Sequence, residues 1–275
     1  MRRLDRRALA VLASAGLVAT SSVGARQFLQ RQAAIARGII GDPLGHAAPE
    51  ADKVYRKSRD GRLELLMLGD SIAAGLGAER PKDTLGARLA RGLGKAANTS
   101  VRLCTAARVG SESSLLAAQL DALPGGYRPD VAVIVVGGND VTHRVPVGES
   151  VRHLTDAVDR LHELGARVVV GTCPDLGALR PVPQPLRSLG SRASRQLAAA
   201  QRRAALDRGA YVVSLAHVVG PFFITNPDEM FSLDRFHPSA AGYRRTAKAM
   251  LPSVLRALGH ADELPFGHHA PPAGP

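Results

Sequence analysis

Aromatic residues are scarce in this sequence. It has no tryptophan, and phenylalanine and tyrosine together make up 4% of its 275 residues. Its 36 lysines and arginines give a formal net charge of +12, but they are scattered over predicted helices without aromatic residues between them. Proteins that bind single-stranded nucleic acid combine a basic groove with aromatic side chains on which the bases stack. We therefore expect no nucleic-acid partner and interpret the basic residues as solvated helix faces.

The sequence also has only two cysteines and no match to the common nucleotide-binding motifs. Cys104 and Cys173 are the only cysteines, which is too few for a disulfide framework, and no CxxC pair indicates a structural zinc. The glycines of Gly69–Gly77 have the spacing G-x5-G-x-G, which matches neither GxGxxG nor GxxxxGK[ST]. The sequence therefore predicts neither a metal nor a cofactor.

The N-terminus has the pattern of a targeting segment. Four arginines precede the uncharged stretch Ala8–Ala25: Arg2, Arg3, Arg6 and Arg7. The stretch ends in Val23-Gly24-Ala25, which fits a signal-peptidase site, but its length also suits an uncleaved membrane anchor. Residues 1–25 are therefore predicted to be one or the other, so that the protein is exported and is either secreted or held at the cell envelope, with membrane association through the N-terminus.

The rest of the chain reads as one domain with short extensions, and we expect a monomer. Residues 26–61 predict a juxtamembrane helix followed by a polar linker, and residues 259–275, rich in Pro, Gly and His, predict a disordered tail. Between them, residues 62–258 alternate apolar runs with amphipathic stretches. At this length the domain can bury one sizeable core.

Continuous apolar runs predict the strands of a buried parallel sheet. Five such runs are present: Leu63–Leu68, Val101–Ala106, Val131–Val136, Arg167–Thr172 and Tyr211–Leu215. Five predicted helices alternate with them: Thr84–Leu93, Ser113–Leu123, Gly148–Leu164, Leu186–Arg208 and Ala240–Leu258. The pattern predicts an α/β fold, a three-layer α/β/α sandwich around a five-stranded parallel sheet.

Residues with chemical function follow these strands. Gly69-Asp70-Ser71 follows the first, Gly110 the second, Gly137-Gly138-Asn139-Asp140 the third, and Asp234-x-x-His237 precedes the last helix. In open parallel sheets, functional residues collect at the carboxyl ends of the strands. We therefore expect these four groups to meet at one edge of the sheet.

The residues of these four groups are together suited to the chemistry of acyl transfer. Ser71 is the candidate nucleophile, His237 can serve as its base near neutral pH, and Asp234 can orient the imidazole. Oxyanion donors would be the backbone N–H groups of Ser71 and Gly110 and the side-chain amide of Asn139.

Each group also has a purely structural interpretation. Ser71 could cap a helix, Gly110 could permit a left-handed turn, and Asn139 could be a turn residue. A non-catalytic binding module on the same fold would keep such roles, but it would be expected to have lost part of the set.

The four groups, in this order, resemble the motifs of the SGNH (GDSL-type) hydrolase superfamily, in particular its exported actinobacterial members. Ser71, Gly110, Asn139 and His237 match the four motif residues and Asp234 completes the triad, although the first motif reads GDSIAAG rather than GDSL. The resemblance covers residues 62–258. It implies a flavodoxin-like strand order 2-1-3-4-5, esterase or lipase activity without a metal, and small-molecule, lipid or glycan esters as substrates, including O-acetyl groups of envelope glycans.

Overall fold

The computed structural model describes residues 24–41, 43–45 and 47–272. The predicted signal peptide or anchor, residues 1–25, therefore lies outside the described residues except for Gly24 and Ala25, which begin the first helix. Within the described ranges, none of the helices combines the length and the apolar character needed to cross a bilayer.

A seven-stranded sheet forms the centre of the fold. Its strands are β1 (Val54–Tyr55), β2 (Arg62–Gly69), β3 (Ser100–Thr105), β4 (Val131–Val135), β5 (Arg167–Gly171), β6 (Tyr211–Val213) and β7 (His268–His269). They lie in the order β1-β3-β2-β4-β5-β6-β7. The five inner strands are parallel to one another. Their order confirms the predicted arrangement 2-1-3-4-5.

Helices connect the strands and cover the sheet. They are α1 (24–40), α2 (Ser71–Ala74), α3 (Leu85–Ala96), α4 (Leu116–Asp121), α5 (Gly138–His143), α6 (Val147–Glu163), α7 (Leu186–Asp207), α8 (Leu215–Val218), α9 (Gly220–Thr225), α10 (Pro227–Met230) and α11 (Ala240–Ala257). Three 3-10 turns accompany them: Pro81–Asp83, Ser113–Leu115 and Leu176–Ala178.

Each face of the sheet has its own core. Leu65 and Met67 of β2 pack into one core with α3 and α11, whereas Leu66 and Leu68 pack into the other with α4 and α6. All four side chains are fully buried. Successive side chains of a strand point to opposite faces, so a strand covered on both sides must be apolar at every position. This explains the unbroken apolar runs and confirms the three-layer α/β/α fold.

The sheet has two edge strands that the sequence pattern does not predict. β1 lies in the segment expected to be a linker and pairs antiparallel with β3. β7 lies in the segment expected to be a disordered tail and pairs antiparallel with β6, so this part of the prediction differs from the structure. Two-residue strands are too short to show a period. Two side-chain hydrogen bonds also hold β7, one between His268 Nδ1 and Ser253 Oγ (2.8 Å) and one between His269 Nε2 and Ser214 Oγ (3.3 Å).

The bend at Gly69, at the end of β2, requires a glycine, so we expect substitution there to lower the stability of the protein. Gly69 has φ +126°, and a Cβ atom there would lie 1.9 Å from the carbonyl oxygen of Val135 in β4. We expect Gly69→Ala to lower the free energy of unfolding by roughly 3 kcal/mol or more, from backbone strain and overlap with the main chain of β4. Urea denaturation measures this change.

Gly148→Ala is the matched control, because a Cβ atom at Gly148 meets no atom within 4 Å. We expect it to change the free energy of unfolding by no more than about 1 kcal/mol, in the stabilising direction. Equal stability of the two variants would contradict the proposed constraint at Gly69.

Candidate active site

Ser71 stands at a sharp turn between β2 and α2. The turn is fixed at Asp70, whose N–H donates to Val135 O (3.0 Å) and whose carboxylate accepts from Ile72 N (2.9 Å). Asp70 thus caps α2, and Ser71 is the first residue of that helix. The first N–H groups of a helix have no acceptor within the helix. The Ser71 N–H is therefore available to a group bound beside its hydroxyl.

The hydroxyl of Ser71 belongs to a chain of three side chains. Its Oγ lies 2.9 Å from His237 Nε2, and His237 Nδ1 lies 2.5 Å from Asp234 Oδ2. The other carboxylate oxygen of Asp234 accepts from the backbone N–H groups of Phe236 and His237, both at 2.9 Å. The predicted Ser71, His237 and Asp234 are thus brought together from opposite ends of the domain.

The charge of Asp234 is stabilised by these contacts. Burial by itself would raise the pKa of this carboxyl, but the hydrogen bonds from the His237 ring and from the two backbone N–H groups outweigh burial and lower the pKa below its ordinary value. Asp234 is therefore ionised at neutral pH. An ionised partner at Nδ1 keeps the proton on that nitrogen and leaves Nε2 free to accept one.

The loop that carries His237 is itself tightly closed. Ser232 N donates to His237 O (2.8 Å), and Phe231 and Pro238 form an isolated β-bridge. Directly after the loop, Ser239 caps α11 by accepting from Ala241 N and Gly242 N. The imidazole is therefore mounted on a short closed loop at the start of a long helix.

Asn139 and Gly110 occupy the loops after β4 and β3. Asn139 lies at the start of α5 and lines the same cleft as Ser71, and its side-chain amide donates to Ser111 O (2.9 Å). That bond uses one amide hydrogen and leaves the second for a ligand. Gly110 precedes Ser111 and has φ +80°, but it is not among the described residues that line the cleft. The structure therefore places Ser71 and Asn139 together, with Gly110 at the margin.

Two buried glutamines hold the strand ends, and sequence reasoning missed both. Gln119 of α4 accepts from Gly69 N (2.9 Å) and donates to Gly69 O (2.8 Å) and Ser111 Oγ (3.1 Å). Gln201 of α7 accepts from Cys173 N (2.7 Å) and donates to Val136 O (3.0 Å). Their only signal in the sequence is an amide on the apolar face of a helix.

A second carboxyl, that of Asp70, lies beneath the nucleophile. It is almost fully buried, and burial raises its pKa to about 6, opposed by the hydrogen bond from Ile72 N and the charge of His237. Neighbouring Asp140 is also buried and accepts from Ser113 N (3.1 Å) and Ser150 Oγ (2.6 Å). Both carboxylates thus organise loops through hydrogen bonds, and Asp70 also lines the cleft beside Ser71.

An apolar cleft opens beside Ser71 and His237, with a cavity volume of about 80 Å³. Its walls come from the segment after β5 and from the helices after β6: Leu176, Ala178, Leu179, Leu215, Val219 and Phe223. Phe223 contributes to both the core and the cleft. Of two charged residues on the segment after β5, Asp175 lines the cleft, whereas Arg180 lines a neighbouring groove.

Comparison with known proteins agrees with this site. The profile of the GDSL-like lipase/acylhydrolase family matches residues 67–245. The GDSL-like esterase Rv1075c of Mycobacterium tuberculosis is 38% identical over 286 residues, covering 99% of this chain and 90% of that protein.

Solved structures share the fold. The esterase EstA from Pseudoalteromonas superposes with a TM-score of 0.56 at 21% identity, covering 71% of this chain and 98% of that chain. The acetylxylan esterase Axe2 from Geobacillus stearothermophilus superposes with a TM-score of 0.55 at 20% identity, covering 72% and 94%. With the family profile, the curated relative and the serine–histidine geometry in agreement, the chain belongs to the GDSL-like lipase/acylhydrolase family of SGNH hydrolases and is a serine hydrolase of carboxylic esters.

Proposed function

We propose that this protein is an exported esterase that forms an acyl-enzyme on Ser71, with His237 as the base and Asp234 as the group that orients it. The observation that carries the proposal is the unbroken hydrogen-bond chain from Ser71 Oγ through His237 to Asp234. A helix cap alone would not need the imidazole, because Asp70 already caps α2.

In the first half of the reaction, His237 Nε2 accepts the proton of Ser71 while Oγ attacks the ester carbon. The charge that develops on the carbonyl oxygen meets the N–H of Ser71 and the free amide hydrogen of Asn139, with the N–H of Gly110 as the third donor. Collapse of the tetrahedral intermediate transfers the proton from His237 to the departing alcohol. In the second half, His237 deprotonates the water that attacks the acyl-enzyme, and it then returns this proton to Ser71 Oγ as the bond to the acyl carbon breaks and the acid leaves.

The cleft favours esters of aliphatic acids. A carboxylate or a sugar hydroxyl placed against its leucine, valine and phenylalanine walls would lose hydration without a new partner. Burial of an alkyl chain against the same walls is favourable, because it removes apolar surface from water without breaking hydrogen bonds. We therefore propose an acyl chain longer than acetyl, although acetylated glycans belong in any substrate panel.

Export is supported by the sequence of residues 1–25 alone. Sequencing the N-terminus of protein recovered from the culture medium and from the envelope tests it. A start at Arg26 supports cleavage and secretion, an intact N-terminus on envelope protein supports an anchor, and recovery from the cytosol alone contradicts export.

The proposed roles predict large losses of activity. We expect Ser71→Ala to lower kcat on p-nitrophenyl esters roughly 10⁴-fold or more and to abolish labelling by a fluorophosphonate. Asp234→Asn should cost roughly 10³–10⁴-fold because it removes the charge that fixes the histidine tautomer. Exposed Ser114→Ala and Asp228→Asn are the matched controls and should retain wild-type rates. Wild-type protein that neither labels nor turns over any ester would contradict the proposal.

The cleft predicts a dependence on acyl length. Ala178 lines the cleft, so Ala178→Phe should fill part of it. We expect kcat/KM of the wild type to rise from acetate to hexanoate, and the variant to lose about tenfold or more on hexanoate while keeping its rate on acetate. Equal losses on both esters would show that the acyl chain binds elsewhere.

Burial of Asp70 predicts a pH dependence of stability. Its pKa is about 6 in the fold against an ordinary value of 3.8, so between these values the folded protein holds a proton that the unfolded chain has released. The contribution of Asp70 to the free energy of unfolding is therefore largest below pH 3.8, and it is lost as the pH rises to about 6.

Asp70→Asn removes this titration while keeping an oxygen that can cap α2. Relative to the variant, the wild type should lose on the order of 2–3 kcal/mol of unfolding free energy over this pH range. Urea denaturation at each pH measures it. A constant difference between the two proteins would contradict the assignment.

A further inference from the structure

Exposed apolar side chains are concentrated around one part of the molecule. Eight large apolar residues are exposed within the described ranges: Phe28, Ile35, Ile39, Leu115, Leu189, Ile224, Leu233 and Phe266. All except Leu115 and Phe266 lie on α1, on the first turn of α7 or on the segment between β6 and α11. Exposed apolar residues that cluster in this way mark an interaction surface.

Three of the six form a stripe along α1. Phe28, Ile35 and Ile39 are separated by seven and four residues, which places them within about 40° of one another around the helix axis at 3.6 residues per turn. Between 47% and 53% of each is exposed. Gln32 and Ala36 of α1 are buried, and they lie about 20° and 60° from Ile39 around the same helix axis. The half-exposed stripe therefore borders the side of α1 that packs against the protein.

Contacts of Gln32 fix the orientation of the stripe. Its side-chain oxygen accepts from Leu186 N (3.1 Å), and its amide donates to Gln184 O. The same segment of chain lines the ester cleft a few residues earlier, at Leu176 and Leu179. α1 is therefore attached to the segment that, a few residues earlier, forms a wall of the substrate cleft.

The other exposed apolar residues continue this surface. Ile39 and Leu233 line one groove together with Arg180. Ile224 lines a recess with Gln184 and Arg187, and its carbonyl accepts from Arg180 (3.1 Å). We call α1, the segment 180–195 and the exposed residues Ile224 and Leu233 the rim face, since they line adjoining grooves next to the segment that forms the cleft wall.

The rim face is strongly basic. Residues 24–41 contain three arginines and no acid, and residues 180–195 contain four arginines and no acid. Four acidic residues lie nearby: Glu79, Asp228 and Glu229 line the groove, and Asp175 pairs with Arg195 at 3.0 Å. The arginines outnumber them, so the face attracts anionic partners.

We propose that the rim face docks on an anionic lipid bilayer and holds the ester cleft at the membrane surface. A helix with an apolar stripe flanked by arginines binds at the interface by burying the stripe among acyl chains while the cations meet lipid phosphates. A second copy of the chain suits the face less well, because apposed arginines would repel and the buried centre of a protein interface is depleted of charge. Polyanionic glycans or nucleic acid would satisfy the arginines and leave the apolar side chains in water.

The absence of tryptophan from the sequence allows a direct test. Phe28→Trp places a single fluorophore on the stripe, and Phe266→Trp places one on an exposed site outside the rim face. Both are made in the full chain with Ser71→Ala, so that the result does not depend on hydrolysis or on the proposed function. Each protein is mixed with vesicles of phosphatidylglycerol and phosphatidylcholine, and with vesicles of phosphatidylcholine alone.

We expect the Phe28→Trp emission to shift to shorter wavelength with the anionic vesicles and to be quenched by lipids brominated on their acyl chains, while Phe266→Trp does neither. High salt and neutral vesicles should weaken the response. If both reporters behave alike, the chain binds through another part, such as residues 1–25, and the proposal is overturned. Self-association of the protein in place of vesicle binding would equally overturn it.

A second pair of variants tests the energetic contribution of the stripe. Phe28→Ser/Ile35→Ser/Ile39→Ser should weaken partitioning to anionic vesicles by about tenfold or more, whereas Phe266→Ser should not. Both should hydrolyse a soluble p-nitrophenyl ester at the wild-type rate, which shows that they are folded. Equal partitioning of the two variants would contradict docking through the stripe.

Discussion

The site depends on how the ends of parallel strands satisfy their backbone groups. β2 continues beyond the end of β3, and Gly69 there has a buried N–H and a buried carbonyl on the side that β3 no longer covers. Gln119 of α4 accepts from this N–H and, together with the N–H of Arg108, donates to the carbonyl, and it adds a bond to Ser111 in the next loop. A buried backbone group without a partner costs about as much as a lost hydrogen bond. The amide of Gln119 therefore stabilises the turn under Ser71 and fixes its distance from the loop of Gly110.

Much of the fold and most of the site follow from local sequence patterns. The strands were predictable because burial on both faces requires every residue to be apolar, and the strand order followed from the family resemblance. Ser71, Asn139, Asp234 and His237 were predictable because each follows a strand or opens a helix, where polar side chains stand out against apolar runs. For these residues, the polar side chain that stands out in the sequence is also the one that the fold places at the site.

The features that sequence reasoning missed are set by distant partners. Gln119 and Gln201 resemble any helix amide until the strand ends beside them are known. β1 and β7 are too short to show a period and are defined by β3 and β6. Phe223 packs in the core and also lines the cleft, and this second position depends on where the segment around Leu176 crosses it.

The two edges of the central sheet are formed by the very short strands β1 and β7. The parallel strands β3 and β6 would each present a row of unpaired backbone groups, and such rows recruit further strands from other molecules. Here each is covered by only two residues of antiparallel strand, which leave too short a ladder for another chain to extend. The two dipeptides that the sequence pattern did not predict thus shorten the free edges that the sheet offers for strand addition.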